Sequence, residues 1–280
     1  MLTRRRFLQA SGSLLLAAGG LGSYAWFVEP HWLDIVERAL PIRDLPASLD
    51  GATLVQLSDL HVGLHVSDDY IFDVFSALER LGPDIVVITG DLTGYHPRIL
   101  EQAQRVYQRM PHGRLATLAV LGNHDYGVGW SDLSHADGLA SAMTDLGIRI
   151  LRNEVAEVLG LHIVGLDDLW ARKFLPEDAL AQIDPTVSAL ALSHNPDTAD
   201  LGGWSDFDGW ILAGHTHGGQ CRPPFLPPPV LPVENQAYTS GEFALSGGRR
   251  MYISRGVGHL RVRARFNVRP EVTVFRLRPA

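Results

Sequence analysis

A single cysteine, Cys221, stands in a chain of 280 residues. That scarcity excludes an internal disulfide framework and argues against thiolate metal sites, while leaving the compartment open. Charged residues are few as well, 20% against 46% hydrophobic, which excludes a disordered chain and allows a sizeable core. No internal repeat stands out, and low-complexity sequence is confined to the proline-rich residues 223–232, read as a stiff extended loop. Residues 249–280 hold nine arginines against one acid, Glu271, in a chain of net charge −7. Aromatic stacking platforms are not interleaved with those arginines, so nucleic acid is not an expected partner. Leu260, Val262, Ala264 and Phe266 alternate with Arg261, Arg263 and Arg265, which predicts a strand over 260–266 with its arginines on one solvated face. A phosphate or an anionic membrane is the alternative partner for this basic end.

What the chain does have is a succession of apolar runs, each followed at once by a polar residue able to bind metal. Residues 52–58 read as a buried strand ending at Asp59, residues 84–89 as a strand ending in Gly90-Asp91, and 115–121 as a strand ending in Gly122-Asn123-His124-Asp125. Helices are expected over 67–81, started by Ser67 and stopped at Gly82-Pro83, and over about 97–109, opened by Pro97. Further strands are expected near 148–151, 161–166, 187–193, 209–213, 250–254 and 271–277, with one helix near 177–183. Loops beyond the carboxyl ends of strands are where α/β folds place their chemistry.

Gly214-His215-Thr216-His217-Gly218-Gly219 puts two imidazoles among glycines, an arrangement better suited to an ion than to a core. Asp59 and His61 lie two apart, so an extended backbone points both side chains the same way. Asp91 carries two oxygens with which to bridge two ions, Asn123 a neutral amide oxygen, and Gly90 and Gly122 let the backbone turn sharply to aim them. With His194, these supply the mixed oxygen and nitrogen donors that two neighbouring divalent ions require. His31, His65, His96, His112, His135, His162 and His259 are read as structural, His65 and His259 being the nearest to exceptions. Asp167-Asp168 either lines the site or caps a turn, and Cys221 is read as a packed thiol near the cleft.

The N-terminus reads as an address. Thr3-Arg4-Arg5-Arg6-Phe7-Leu8-Gln9 precedes a weakly apolar stretch over 10–28 and resembles a twin-arginine export signal, with Gln9 in place of the usual lysine. Ser23-Tyr24-Ala25 offers a small-x-small cleavage site. As a helix, 10–28 would extend about 28 Å, close to the hydrocarbon thickness, so retention as an anchor is the competing expectation. The chain therefore divides into a signal or anchor over 1–28, a linker and edge strand over 29–50, and one catalytic domain over 51–280.

Asp59-x-His61, Gly90-Asp91, Gly122-Asn123-His124-Asp125, His194 and Gly214-His215-x-His217 together resemble the ordered motifs of the calcineurin-like metallophosphoesterase superfamily. Gln56-Leu57-Ser58-Asp59-Leu60-His61, Leu192-Ser193-His194-Asn195-Pro196-Asp197, Gly218-Gly219-Gln220 and Ser254-Arg255-Gly256-Val257-Gly258 bring it nearest to the exported, membrane-associated bacterial branch of YaeI/YkuE type. The resemblance implies an α/β (α+β) fold, a four-layer α/β/β/α sandwich with two mixed β-sheets and the dimetal site at the strand ends. It also implies that Asp59, His61, Asp91 and His217 hold one ion and Asp91, Asn123, His194 and His215 the other. A hydroxide between the ions would attack phosphorus in line, with His124 as proton donor and Asp125 orienting its ring.

The expected activity is that of a metal-dependent phosphodiesterase acting outside the cytoplasm as a monomer, in the periplasm or on the outer face of the membrane. Its ions are expected to be manganese, with iron, zinc or nickel as alternatives. Expected partners are a phosphodiester or phospholipid-type substrate, the twin-arginine export machinery and a membrane surface. Phe225, Leu226, Val230 and Leu231 either rest in lipid or form a rigid wall. A pyrophosphatase acting on a nucleotide-linked lipid precursor is the second enzyme reading, although an exported site would face away from a cytoplasmic UDP-lipid. A metal-stabilised binding protein without turnover is the third, and the presence of His124 argues against it.

Overall fold

The computed structural model describes residues 3–94, 99–184, 186–260 and 262–280. His96, Pro97 and Arg261 therefore lie outside the described residues. Twelve strands form two six-stranded sheets among these residues. In chain order they are β1 (Asp34–Ile42), β2 (Thr53–Leu57), β3 (Ile85–Thr89), β4 (Ala116–Val120), β5 (Arg149–Ile150), β6 (Glu154–Val158), β7 (Leu161–Gly165), β8 (Ala189–Leu192), β9 (Trp210–Ala213), β10 (Gly241–Ala244), β11 (Arg250–Ile253) and β12 (Glu271–Pro279). The helices are α1 (Arg4–Ser23), α2 (Asp68–Leu81), α3 (Ile99–Tyr107), α4 (Leu133–Asp145) and α5 (Pro176–Leu180).

The first sheet runs β1-β12-β2-β3-β4-β5 and the second β10-β11-β9-β8-β7-β6. Strands β2 to β5 are mutually parallel, as are β7, β8, β9 and β11. Antiparallel pairs join β12 to β2, β10 to β11 and β6 to β7. The central strands are continuous apolar runs because both faces are covered. In β2 and β3, Leu54, Ile85 and Val87 point into the space between the sheets and meet Ile163, Leu190, Leu192, Trp210 and Leu212. Their neighbours Val55, Leu57, Val86 and Ile88 point outward onto Ile71, Val74 and Leu78 of α2 and Val106 of α3. The outer cover of the second sheet is thinner, made by Leu180 of α5 with Ala199, Trp204 and Tyr238 from loops. The result is the expected sandwich of two mixed sheets with flanking helices.

Helix α2 starts where its cap predicts: the Ser67 hydroxyl accepts from the Tyr70 amide, two aspartates occupy the first turn, and left-handed Gly82 ends it. Helix α4 has no counterpart in the sequence reading. Its Asp132 cap is regular, but its run of small residues interrupted by Gly138 leaves a weak apolar stripe, and packing of Ala136, Leu139 and Met143 onto the first sheet decides it.

The strand expected over 260–266 does not form. That segment is irregular, with one bridge between Phe266 and Cys221. Nor do its arginines share a solvated face, since Arg265 is 0% exposed while Val262 is half exposed. Alternation failed as a guide because the apolar partners here are backbone loops, and Arg265 is drawn in by carbonyl oxygens.

Helix α1 forms over the expected apolar stretch, yet no helix among the described residues is long and apolar enough to cross a membrane. Its far end is tied to the domain. Ala25 accepts from the Arg265 amide at 2.9 Å, and Glu29, 1% exposed, accepts from the Val268 amide. Strand β1 then runs along the edge of the first sheet beside β12.

Candidate metal centre

Loops leaving β2, β3 and β4 of one sheet and β8 and β9 of the other meet at one end of the sandwich. The amides of Asp59 and His61 donate to the carbonyls of Gly90 and Asp91, each at 3.0 Å, so the first two loops are joined as a pair. The amide of His215 donates to both Asp59 carboxylate oxygens at 3.1 Å, joining the second sheet to the first. The amide of His124 donates to Asp91 Oδ1 at 2.9 Å.

These loops are not extended. Asp59, His61, Asp91, His215 and His217 all have positive φ, between 47° and 70°, a conformation costly for residues with a Cβ, on the order of 1–3 kcal/mol each. Asp59 and His61 therefore converge through left-handed backbone rather than through strand alternation. Gly122 likewise serves differently from expectation. Its φ is an ordinary −104°, but an added Cβ would lie 2.2 Å from Asp91 Oδ1, so close approach is what requires glycine there. At Gly90, φ is +83° and a Cβ would fall 2.5 Å from His194 Nδ1, so both turn and space demand it.

The side chains gather in two groups, Asp59 with His61 and His217, and Asp91 with His194 and His215, the donor atoms of each within 4.8 Å of one another. Nε2 of His61 and Nε2 of His217 are 3.1 Å apart, as are Nδ1 of His215 and Nε2 of His194. Asp91 Oδ2 sits between the groups, 3.2 Å from His194 Nε2 and 3.5 Å from His61 Nε2. It has no hydrogen-bond partner among the described residues, and neither has either amide atom of buried Asn123. Buried polar atoms left without partners cost about 1–3 kcal/mol apiece, and their convergence with ring nitrogens is what a pair of divalent cations would satisfy. The donor set fits two ions, with Asp91 Oδ2 between the two groups and the buried Asn123 amide in want of a partner.

The electrostatics of the cluster carry the same message. Burial raises Asp59 to about 6, aided by the neighbouring Asp91 charge. Burial lowers His61 and His215 to about 3 and holds His217 well below the ordinary imidazole value. His194 is the exception: burial opposes its charge, but the Asp91 carboxylate overrides it and raises it to about 10. Three neutral imidazoles with free lone pairs are ready-made ligands.

The chain belongs to the calcineurin-like phosphoesterase family. The family matches residues 52–219, from the start of β2 to the last glycine of the histidine loop. The metallophosphoesterase YkuE of Bacillus subtilis (strain 168) is 31% identical, with 99% of this chain and 98% of its own covered. The phosphodiesterase YaeI of Escherichia coli (strain K12) is 32% identical over 99% of this chain and 100% of its own. The UDP-2,3-diacylglucosamine pyrophosphatase LpxG of Chlamydia trachomatis serovar D is 28% identical, over 96% and 97% respectively. Membership makes this metallophosphoesterase a metal-dependent phosphoester hydrolase, and the binding protein without turnover is set aside.

Six of the seven expected ligand residues thus come together in two groups, with Asn123 buried in the neighbouring loop and His124 half-exposed, its ring 5.1 Å from that of His61. Asp125 does not orient that ring. Its carboxylate accepts from the amides of Leu92, Thr93 and Gly122 and the Thr93 hydroxyl, so it pins the Asp91 loop to the Asn123 loop. Burial, reinforced by the Asp91 charge, raises its carboxyl to about 7. Asp168 caps a turn, its Oδ1 accepting from the Ala171 amide, while its buried Oδ2 has no partner among the described residues. His259 is structural, donating from Nε2 to the His65 carbonyl. Cys221 is a half-buried free thiol, its Sγ 3.7 Å from the Ala264 carbonyl. The sequence reading missed Trp170, whose ring stands edge-on to His215 at 4.4 Å and packs against Trp130 at 4.6 Å. Its position two residues beyond Asp168, after β7, was the available signal.

A Cβ added at Gly214 would lie 1.9 Å from Ser58 Oγ and 2.5 Å from Asp59 Oδ2. Gly214→Ala is expected to displace Asp59, lowering the bound metal measured by elemental analysis from two equivalents towards one and destabilising the fold by about 1–3 kcal/mol in denaturant titration. Gly202→Ala, where nothing lies within 4 Å, should leave both unchanged.

Proposed function

We propose that this metallophosphoesterase is a phosphodiesterase acting outside the cytoplasm, and that His124 delivers the proton to the leaving alkoxide. The observation that carries the reading is the placement of His124. Its amide is fixed on Asp91 Oδ1 and its ring stands beside His61, yet it belongs to neither ligand group. A half-exposed imidazole at the edge of an otherwise buried cluster suits delivery of a proton to the leaving oxygen of a phosphate ester. Two divalent ions, when bound, supply an activated water and neutralise the phosphate oxygens. Manganese is the preferred identity, with iron, zinc and nickel compatible with the Asp, Asn and His donors.

The remaining residues hold that geometry. Thr89 and Pro232 carbonyls accept from the outer ring nitrogens of His194 and His215, at 2.9 and 2.8 Å, and fix both imidazoles. Asp125 keeps the loop bearing His124 against the loop bearing Asp91. Export is inferred from the arginines at 4–6 and the apolar stretch behind them, with the helix lying at a membrane surface. The name of YaeI supports the diester preference, and that of LpxG keeps a pyrophosphate-linked lipid as the second substrate class.

Asp91→Ala and His217→Ala are expected to abolish metal-dependent hydrolysis of a chromogenic diester. His124→Ala should retain bound metal and separate substrates by leaving group. Release of an alkyl alcohol falls by about 10²–10⁴-fold, whereas release of nitrophenolate, which needs no proton, falls far less. Equal losses on both would remove His124 from the proton-donor role.

A lipid substrate is favoured by the proline-rich loop. Phe225 is fully exposed and Leu226 and Val230 largely so, whereas Leu231 is half-buried. The loop is fastened to the centre, since Pro232 accepts from His215 and Pro228 packs over Gly219. Apolar tips beside a phosphoesterase site suit insertion among headgroups. Replacing Phe225 and Leu226 with serine should reduce turnover of phospholipid in vesicles while sparing a soluble diester, and equal effects on the two would leave the loop as a wall.

A further inference from the structure

Arg265 is fully buried, and its guanidinium meets carbonyl oxygens rather than a carboxylate. Nε donates to Gly258 at 3.1 Å and Nη1 to Val268 at 3.3 Å. Nη2 lies within 2.5–3.0 Å of the carbonyls of Arg255, Gly256 and Gly258. The same nitrogen is 3.4 Å from Nδ1 of His217, the outer nitrogen of that ring. An arginine is suited to such a hub because its planar fork carries five donors in fixed directions.

The carbonyls that it gathers belong to the loop backing Asp59. The Val257 and Gly258 amides donate to the Ser58 and Asp59 carbonyls. A Cβ at Gly256 would fall 2.8 Å from that of Asp59, and one at Gly258 would fall 2.7 Å from the Asp59 carbonyl oxygen. Arg265 thus supports one member of a ligand group, Asp59, through the loop behind it. Its own backbone is held from the far side by the Ala25 carbonyl.

The two groups are braced in different ways. His194 and His215 each have the outer nitrogen fixed by a carbonyl, from Thr89 and Pro232. On the other side, His61 Nδ1 has no hydrogen-bond partner among the described residues, and Arg265 is the neighbour of His217 Nδ1. Asp59 therefore depends on the arginine for the loop that backs it, whereas the rings of His194 and His215 are fixed by carbonyls that Arg265 does not touch.

We propose that Arg265 is a positioning residue for one ion of the pair, holding Asp59 for the first ion through the loop behind it while the second ion is placed independently of it. The inference rests on the two-ion reading of the centre and not on the choice of substrate. Its measurement is metal binding by the full-length protein, stripped with chelator and titrated with Mn²⁺ alone, followed by equilibrium dialysis and by electron paramagnetic resonance. Wild type is expected to take up two equivalents and show a spin-coupled pair. In Arg265→Met, one equivalent should weaken about 10–100-fold while the other stays within about threefold, the usual scale for losing an outer partner of a ligand, and the coupled signal should give way to an isolated ion.

Arg265→Lys keeps the buried charge without the fork and is expected to show the same selective loss. Circular dichroism of both variants checks that the fold persists. If either folded variant binds both equivalents as tightly as wild type, or loses both in parallel, the assignment is overturned. Fewer than two equivalents in wild type would instead overturn the two-ion reading beneath it.

Discussion

Carboxylates and imidazoles packed where water cannot reach them set the terms for the rest of this molecule. Asp59, His61, Asp91, Asn123, His194, His215 and His217 are all nearly devoid of exposure. In a low-dielectric interior such a cluster is unfavourable unless cations neutralise it. Five of those residues also sit in left-handed backbone, so conformational strain is added to the electrostatic demand. Both are offset by loop-to-loop hydrogen bonds and by the rigidity of the strands from which the loops spring. The strain lies where the chemistry is, as expected when scaffold stability supports a preorganised site.

The sandwich makes this affordable by distributing the ligands. Each sheet contributes loops from the carboxyl ends of parallel strands, and the His215 amide on Asp59 joins one sheet to the other across the centre. Side chains between the sheets are apolar and interlocked, from Leu54 and Val87 to Leu192 and Leu212, so the two loop sets cannot drift apart independently. Packing of this kind transmits small displacements rather than absorbing them. A shift of one sheet against the other would therefore be felt as a change in the distance between the two ligand groups.

Much of this was legible in the sequence because the relevant signals are local. Val, Ile and Leu runs ending in glycine and a polar residue mark both the parallel strands and the ligands after them, and Ser67 with Gly82 marks both ends of α2. Other features were illegible for identifiable reasons. Left-handed φ at Asp59 and His61 is imposed by neighbouring loops, so alternation pointed to the right residues through the wrong geometry. Asp125 reads as a partner of adjacent His124, but its oxygens are claimed by amides of Leu92 and Thr93 in the previous loop and of Gly122 in its own, which only the three-dimensional course reveals. Arg265 looked like one arginine in an alternating series. Its burial depends on carbonyls from residues 255–258 and 268 and on a docked segment near Ala25, and no periodicity records those.

The bond between Glu29 and the Val268 amide joins positions 239 apart in the chain, and β1 beside β12 extends that closure along a whole sheet edge. Contacts of such separation form late and slowly, because the intervening chain must first be brought into order. The buried arginine and β12 lie in the final stretch of the chain. A protein cut short before Arg265 would therefore carry all seven proposed ligands without the arginine that gathers the loop behind Asp59.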